Sequence, residues 1–169
     1  MEPTLDTIKE LREATGAGVM DCKRALQEAN GDIEKAKDIL KEKGMKIAAK
    51  KSDRAANEGM VHSYIHSGGR VGALVELNCE TDFVARTDDF KALAHGIAMQ
   101  VAAMSPQYVD EGDIPENLKD KADPREVTLM QQAFIKDPSL SVQDMVNEAI
   151  GKMGENIKVR RFIRFALGE

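Results

Sequence analysis

Residues 60–83, "MVHSYIHSGGRVGALVELNCETDF", decide the fold. Two apolar–polar alternations, 60–66 and 71–78, flank "SGGR" at 67–70. Period-two runs joined by a Gly-Gly turn read as an antiparallel hairpin, because glycine reaches the positive φ that tight turns demand. The second run closes at Cys79. Thr81 then offers a side-chain oxygen to cap a helix, and Asp82 in its first turn suits the positive end of the dipole. Phe83 therefore sits at a strand-to-helix corner. Lying seven residues before Phe90, it can extend a buried helical stripe. Beside a carboxylate on a rigid corner, it can equally be an aromatic held out to a partner's pocket. The residue pattern leaves both readings open.

Downstream, Phe90, Leu93, Ala94, Ile97, Ala98 and Val101 recur at helical spacing, which predicts a helix over 88–104. A second helix is expected after Ser141, with Val142, Met145, Val146, Ala149, Ile150 and Met153 on its stripe. Residues 157–167, "IKVRRFIRFAL", read as a third strand. The stretch 105–140 holds four of the five prolines and many acids, so it reads as loops with one short helix near 124–134.

Upstream, residues 4–53 read as three short helices. Thr4 caps the first, with Leu5, Ile8 and Leu11 on one face, and "TGAG" (15–18) breaks it. The second, from about Val19 to Ala29, offers Met20, Leu26 and Ala29 for burial. "NGD" (30–32) ends it, and Asp32 caps the third, which carries Ile33, Ala36 and Leu40 and is expected to end near Gly44. "MKIAAKKSDR" continues as a basic helix or linker. Helices and strands segregate, so the fold class is α+β: a three-helix domain over 1–54, then a core domain over 55–169 built on a small antiparallel three-stranded sheet packed with helices.

The sheet has apolar residues for both faces. Val61, Ser63, Ile65, Val71, Ala73, Val75, Leu77, Val159, Ile163 and Phe165 are assigned to the helix-packed face. Met60, Tyr64, Leu74 and Phe162 remain for the other, beside His62, His66 and Glu76. A sheet that is apolar on both sides usually meets a second sheet, which points to a homodimer through that second face; a partly apolar face left in solvent is the alternative.

Composition narrows the function. Only 4% of the 169 residues are aromatic and Trp is absent, so the core is aliphatic and Met-rich. The net charge of −5 argues against direct nucleic-acid binding. The blocks of charge, acidic over 105–155 and basic in "KVRRFIRF", are solvated faces or a partner surface. Two distant cysteines, Cys22 and Cys79, make neither a disulfide framework nor a zinc site, and the N-terminus has no signal-peptide pattern. A reducing, cytoplasmic setting, without membrane, cofactor or metal, is the expectation. No phosphate-loop or nucleophile-elbow motif is present, and no acid, base and nucleophile are grouped, so an enzyme is not expected. A thiol enzyme would need a histidine beside Cys22 or Cys79. The run Lys46, Lys50, Lys51, Arg54 is a solvated face or part of a protein-binding surface.

Three long motifs, "LREATGAGVMDCKRALQEANGDIEKA", "NCETDFVAR" and "GENIKVRRFIRF", resemble bacterial elongation factor Ts over nearly the whole chain and in the family's order. The resemblance implies a guanine-nucleotide exchange factor for elongation factor Tu, the GTPase that carries aminoacyl-tRNA. It implies that the N-terminal unit is ubiquitin-associated-like and docks on the partner's G domain through Arg12, Met20, Lys23 and Lys51. It implies that Asp82 and Phe83, flanked by Thr81 and Val84, are the intruding group, with Phe83 wedged near the magnesium and phosphate site. Met153 and Gly154 match a second supporting patch. His66 resembles a histidine from the second core half of long members, whereas this chain holds both motifs in one half. Short members of that kind work as homodimers. Between Pro106 and Ser141 the chain looks shorter than its relatives. The rival reading, a generic adaptor with the same helical unit and a dimerising sheet, gives no reason for "TDFV".

Overall fold

The computed structural model describes residues 2–169 and divides them into two compact units. One runs to Asp53 and takes in Asn147–Gly154; the other comprises Arg54–Val146 and Glu155–Glu169.

The first unit contains α1 (Leu5–Thr15), α2 (Val19–Glu28) and α3 (Ile33–Lys51). Thr4 accepts from the Thr7 amide and Gly16, at φ 67°, closes α1 by donating to the Arg12 carbonyl at 2.7 Å. Asp32 accepts from the Lys35 amide at 3.1 Å and starts α3. Ile8, Leu11, Cys22, Ala25, Leu26, Ala29 and Ala36 form the core, with Ala17, Ile33, Ile39 and Leu40 against it. Three expectations change. Leu5, in the first turn, projects into solvent at 85% exposure, and Met20 is 62% exposed, so neither joins the core. Gly44 does not end α3. It is buried mid-helix, and a Cβ there would come within 3.4 Å of the Asn147 carbonyl oxygen, so it permits close approach of backbone.

The second unit is built on a sheet of order β1-β2-β5, from β1 (Glu58–Ile65), β2 (Val71–Cys79) and β5 (Lys158–Ala166), all antiparallel. Gly68 and Gly69, at φ 89° and 68°, make the β1–β2 turn. Two capped helices follow: α4 (Asp82–Ala85) after Thr81, and α5 (Asp88–Met104) after Thr87. α5 buries Phe90, Leu93, Ala94, Ile97, Ala98 and Val101, the full expected stripe, and packs across the sheet. α7 (Val142–Met153) begins with a reciprocal cap, in which the Asp144 amide donates to Ser141 Oγ and the Ser141 amide donates to Asp144.

The stretch before it departs from the expected helix near 124–134. Only one turn forms, α6 (Pro124–Val127). Thr128 leaves the helical region, its hydroxyl donates to the Pro124 carbonyl, and the Leu129 amide donates to Tyr108, so the chain is drawn into a bridge. A small hairpin of β3 (Ala133–Phe134) and β4 (Asp137–Ser141) follows. Buried Gln100 of α5 ties it down, donating to the Ala133 carbonyl at 3.0 Å and accepting from the Ile135 amide at 3.0 Å.

The sheet faces are the main correction. Met60 pairs with Leu77, His62 with Val75, and Tyr64 with Ala73, and those β2 residues are all buried. Directly paired residues share a face, so Met60 and Tyr64 lie on the helix side. Phe162 pairs with Val75 and joins them. A register irregularity at Glu76/Leu77 lets Val159 and Phe162, three apart, point the same way. That bulge defeats simple alternation along β5. The open face instead carries Val61, Ile65, Leu74, Ile163 and Phe165, exposed by 64%, 66%, 44%, 48% and 69%. Of the four residues expected there, only Leu74 remains. Among the described residues no helix is long and apolar enough to cross a membrane.

Candidate functional site

The corner between β2 and α4 is held by a reciprocal polar clamp. Glu155 Oε2 accepts from the Glu80 and Thr81 amides, each at 3.0 Å, and Oε1 accepts from the Thr81 hydroxyl at 2.5 Å. In return, the Asn156 amide donates to Glu80 Oε1 at 2.8 Å, and Arg54 approaches the same oxygen at 3.6 Å. The Asn156 side chain donates to the Arg54 carbonyl at 2.7 Å. Thr81 Oγ1 also accepts from the Val84 amide at 3.4 Å, so one hydroxyl serves both clamp and helix cap. No spacing rule foretold Glu80, Glu155 and Asn156. Their presence in "NCETDF" and "GENI" was the available signal.

On this support Phe83 is 78% exposed, whereas Phe90 is fully buried. The buried-stripe reading of Phe83 therefore fails in this chain. Asp82 is half-buried and pairs with Arg86 at 2.9 Å, an i,i+4 ion pair. Cys79 beneath the corner is buried and donates its thiol to the Thr81 carbonyl at 3.1 Å. Burial, reinforced by the Glu155 charge, pushes its pKa up to about 11, and burial likewise raises that of Cys22. Neither is a poised thiolate.

Of the other candidates, Arg12 and Met20 are exposed and Lys23 half-buried in the helical unit. Arg12 lines a groove there with Gly16, Val19, Lys43 and Gly44. Lys51 Nζ donates to the Gly154 carbonyl at 2.6 Å, so it closes the C-terminal end of α7 as well as offering charge. Gly154 has φ 75° and Met153 is half-buried. In the sheet unit, His66 is exposed and shares a 3.0 Å hydrogen bond with the Tyr64 hydroxyl. His62 and His66 do not converge: His62 Nε2 meets His95 Nδ1 at 3.1 Å, and burial lowers the His62 pKa. Among the described residues no group of three or more His, Cys, Asp or Glu side chains is placed to hold a metal.

An exposed aromatic and a half-buried carboxylate thus lie together on a short helix with a polar clamp beneath it. The chain belongs to the elongation factor Ts family, whose sequence model matches residues 6–124 and 121–169. It is 50% identical to elongation factor Ts of Carboxydothermus hydrogenoformans over 194 residues, covering 98% of this chain and 89% of that one. It is 50% identical to that of Thermoanaerobacter sp. strain X514 over 190 residues, covering 96% and 93%. With that of Fervidobacterium nodosum it is 48% identical over 197 positions, covering all of both chains. That alignment is longer than the 169 residues here, so this relative carries residues that the chain lacks. The two pieces of the family match meet at 121–124, inside the stretch read as shortened.

Proposed function

We propose that this chain is a guanine-nucleotide exchange factor for elongation factor Tu, acting by intrusion of Asp82 and Phe83 near the magnesium and phosphate site of that GTPase. The observation that carries the reading is Phe83: a large apolar side chain, 78% exposed, on a four-residue helix braced by polar groups. A hydrophobic ring kept in water on a fixed support is best explained by a partner that covers it.

The exchange is a coupling between two binding sites. Tight GDP binding depends on magnesium bridging phosphate oxygens and on backbone donors around them. A ring that displaces those segments by about an ångström spoils the geometry, because packed elements shift between discrete positions. Coupling is reciprocal, so GDP with magnesium must weaken the partner's grip on this chain by the same factor. No covalent bond changes in the process. In this reading Arg12, Met20, Lys23 and Lys51 dock the helical unit, which is ubiquitin-associated-like, while Met153, Gly154 and His66 support the intrusion. The setting is the cytoplasm.

The open sheet face supports a second element of the reading, a homodimer through Val61, Ile65, Leu74, Ile163 and Phe165. Five large apolar side chains on one face of a three-stranded sheet form a contiguous patch of the kind that marks an interface. The unit that carries the sheet, Arg54–Val146 with Glu155–Glu169, is then the dimerising core.

Size-exclusion chromatography tests the partner. Nucleotide-free elongation factor Tu and this chain are expected to co-elute, and GDP with magnesium to separate them. No complex, or one indifferent to GDP, contradicts the proposal.

A further inference from the structure

We propose that Glu155 is a positioning residue for exchange: it fixes the direction of Phe83 and so governs how fast nucleotide leaves more than how tightly the partner docks. The inference rests on the reading of Phe83 given above.

α4 has four residues, Asp82–Ala85, which is too short to hold its own geometry, since helix nucleation is unfavourable without outside support. Phe83, at 78% exposure, gains little orientation from packing. The direction of its Cα–Cβ bond must come from the backbone just before it. There, two consecutive amides, of Glu80 and Thr81, both donate to one oxygen of Glu155. The other oxygen accepts a hydrogen bond from the Thr81 hydroxyl at 2.5 Å. With its proton committed, Thr81 Oγ1 can only accept from above, and it does so from the Val84 amide. One carboxylate thus sets both the turn at 80–81 and the cap of the helix that presents the ring. Glu80 returns the bond to the Asn156 amide, so neither strand end can move alone.

A clamp of this kind acts on placement. Docking through other residues would survive its loss, while a misplacement of about 1 Å at a working group can cost about a hundredfold in rate. Glu155→Gln keeps an oxygen for the two amides and offers an N–H to Thr81 Oγ1. Glu155→Asp keeps the charge but is one methylene too short to reach.

The experiment measures GDP release from elongation factor Tu against concentration of this chain, giving a maximal rate and a half-saturating concentration, for wild type, Glu155→Gln, Glu155→Asp and Phe83→Ala. Circular dichroism supplies the folded fraction for normalisation. Glu155→Asp is expected to lower the maximal rate by about 10- to 100-fold with half-saturation within about twofold, and Glu155→Gln to stay within about threefold of wild type. If Glu155→Asp lowers the melting temperature but leaves both constants unchanged per folded molecule, Glu155 serves stability alone and the inference falls. If Glu155→Asp fails to fold, Thr81→Val, which removes the hydroxyl and keeps the branched shape, must show the same loss of maximal rate; an unchanged rate overturns the proposal. Wild-type release with Phe83→Ala would instead overturn the exchange reading beneath it, so the two failures are distinguishable.

Discussion

Phe83→Ala separates a presented side chain from a packed one by size of effect. A phenylalanine side chain offers about 200 Å². At 78% exposure, only about 45 Å² of it is covered within the chain, worth about 1 kcal/mol at ~25 cal/mol per Å². Truncating a core phenylalanine costs about 3–5 kcal/mol. In a chain of this size, about 1 kcal/mol lowers the melting temperature by roughly 2–4 °C. The remaining ~150 Å², if buried in the GTPase, is worth about 4 kcal/mol, which sets a ceiling near a thousandfold on the loss of function. The assay pairs a thermal melt with stopped-flow release of labelled GDP. The expected result is a melt within about 4 °C of wild type and stimulated release reduced by about a hundredfold or more. A melt lowered by about 8 °C or more, with exchange per folded molecule intact, would make Phe83 a packed side chain and not a presented one.

Two further outcomes follow from the same geometry. Leu74→Asp places a charge at the middle of the open face, between Ser63 and Ile163, and should convert a dimer to a monomer in sedimentation; a wild-type chain that is already monomeric at micromolar concentration contradicts the dimer. Cys79, ordinarily at 9.0 and raised to about 11 in the fold, keeps its proton longer when folded than when unfolded. Its contribution to stability is present below pH 9.0 and is lost as pH rises toward 11, so the urea midpoint of wild type should fall over that window more than that of Cys79→Ala.

The fold was legible where periodicity is strong and local. The hairpin across "SGGR", the stripe of α5 and the caps at Thr4, Asp32 and Thr81 follow from residue type and spacing alone. The sheet faces were not. Val61 and Ile65 look more suited to a core than His62 and Tyr64, and period-two counting cannot see the bulge opposite Glu76 that reverses phase along β5. The one-turn α6 was hidden because a distant segment, Tyr108, captures the backbone at Thr128 and Leu129. At the candidate site, Asp82 and Phe83 could be placed at a corner, but the choice between core and presentation was not local. The corner that carries Phe83 is held by Glu155, which is 75 residues from Glu80 in sequence yet bonded to its amide.

In the proposed role, this chain loosens GDP from elongation factor Tu by disturbing its magnesium and phosphate site. The direct measurement is release of labelled GDP from elongation factor Tu, with and without a substoichiometric amount of this chain, at low and high magnesium. The expected result is acceleration that is catalytic, with each molecule serving many turnovers, and a larger acceleration over the uncatalysed rate at high magnesium, where the ion holds the nucleotide most firmly. Release that is unchanged by the chain at both magnesium concentrations would contradict it.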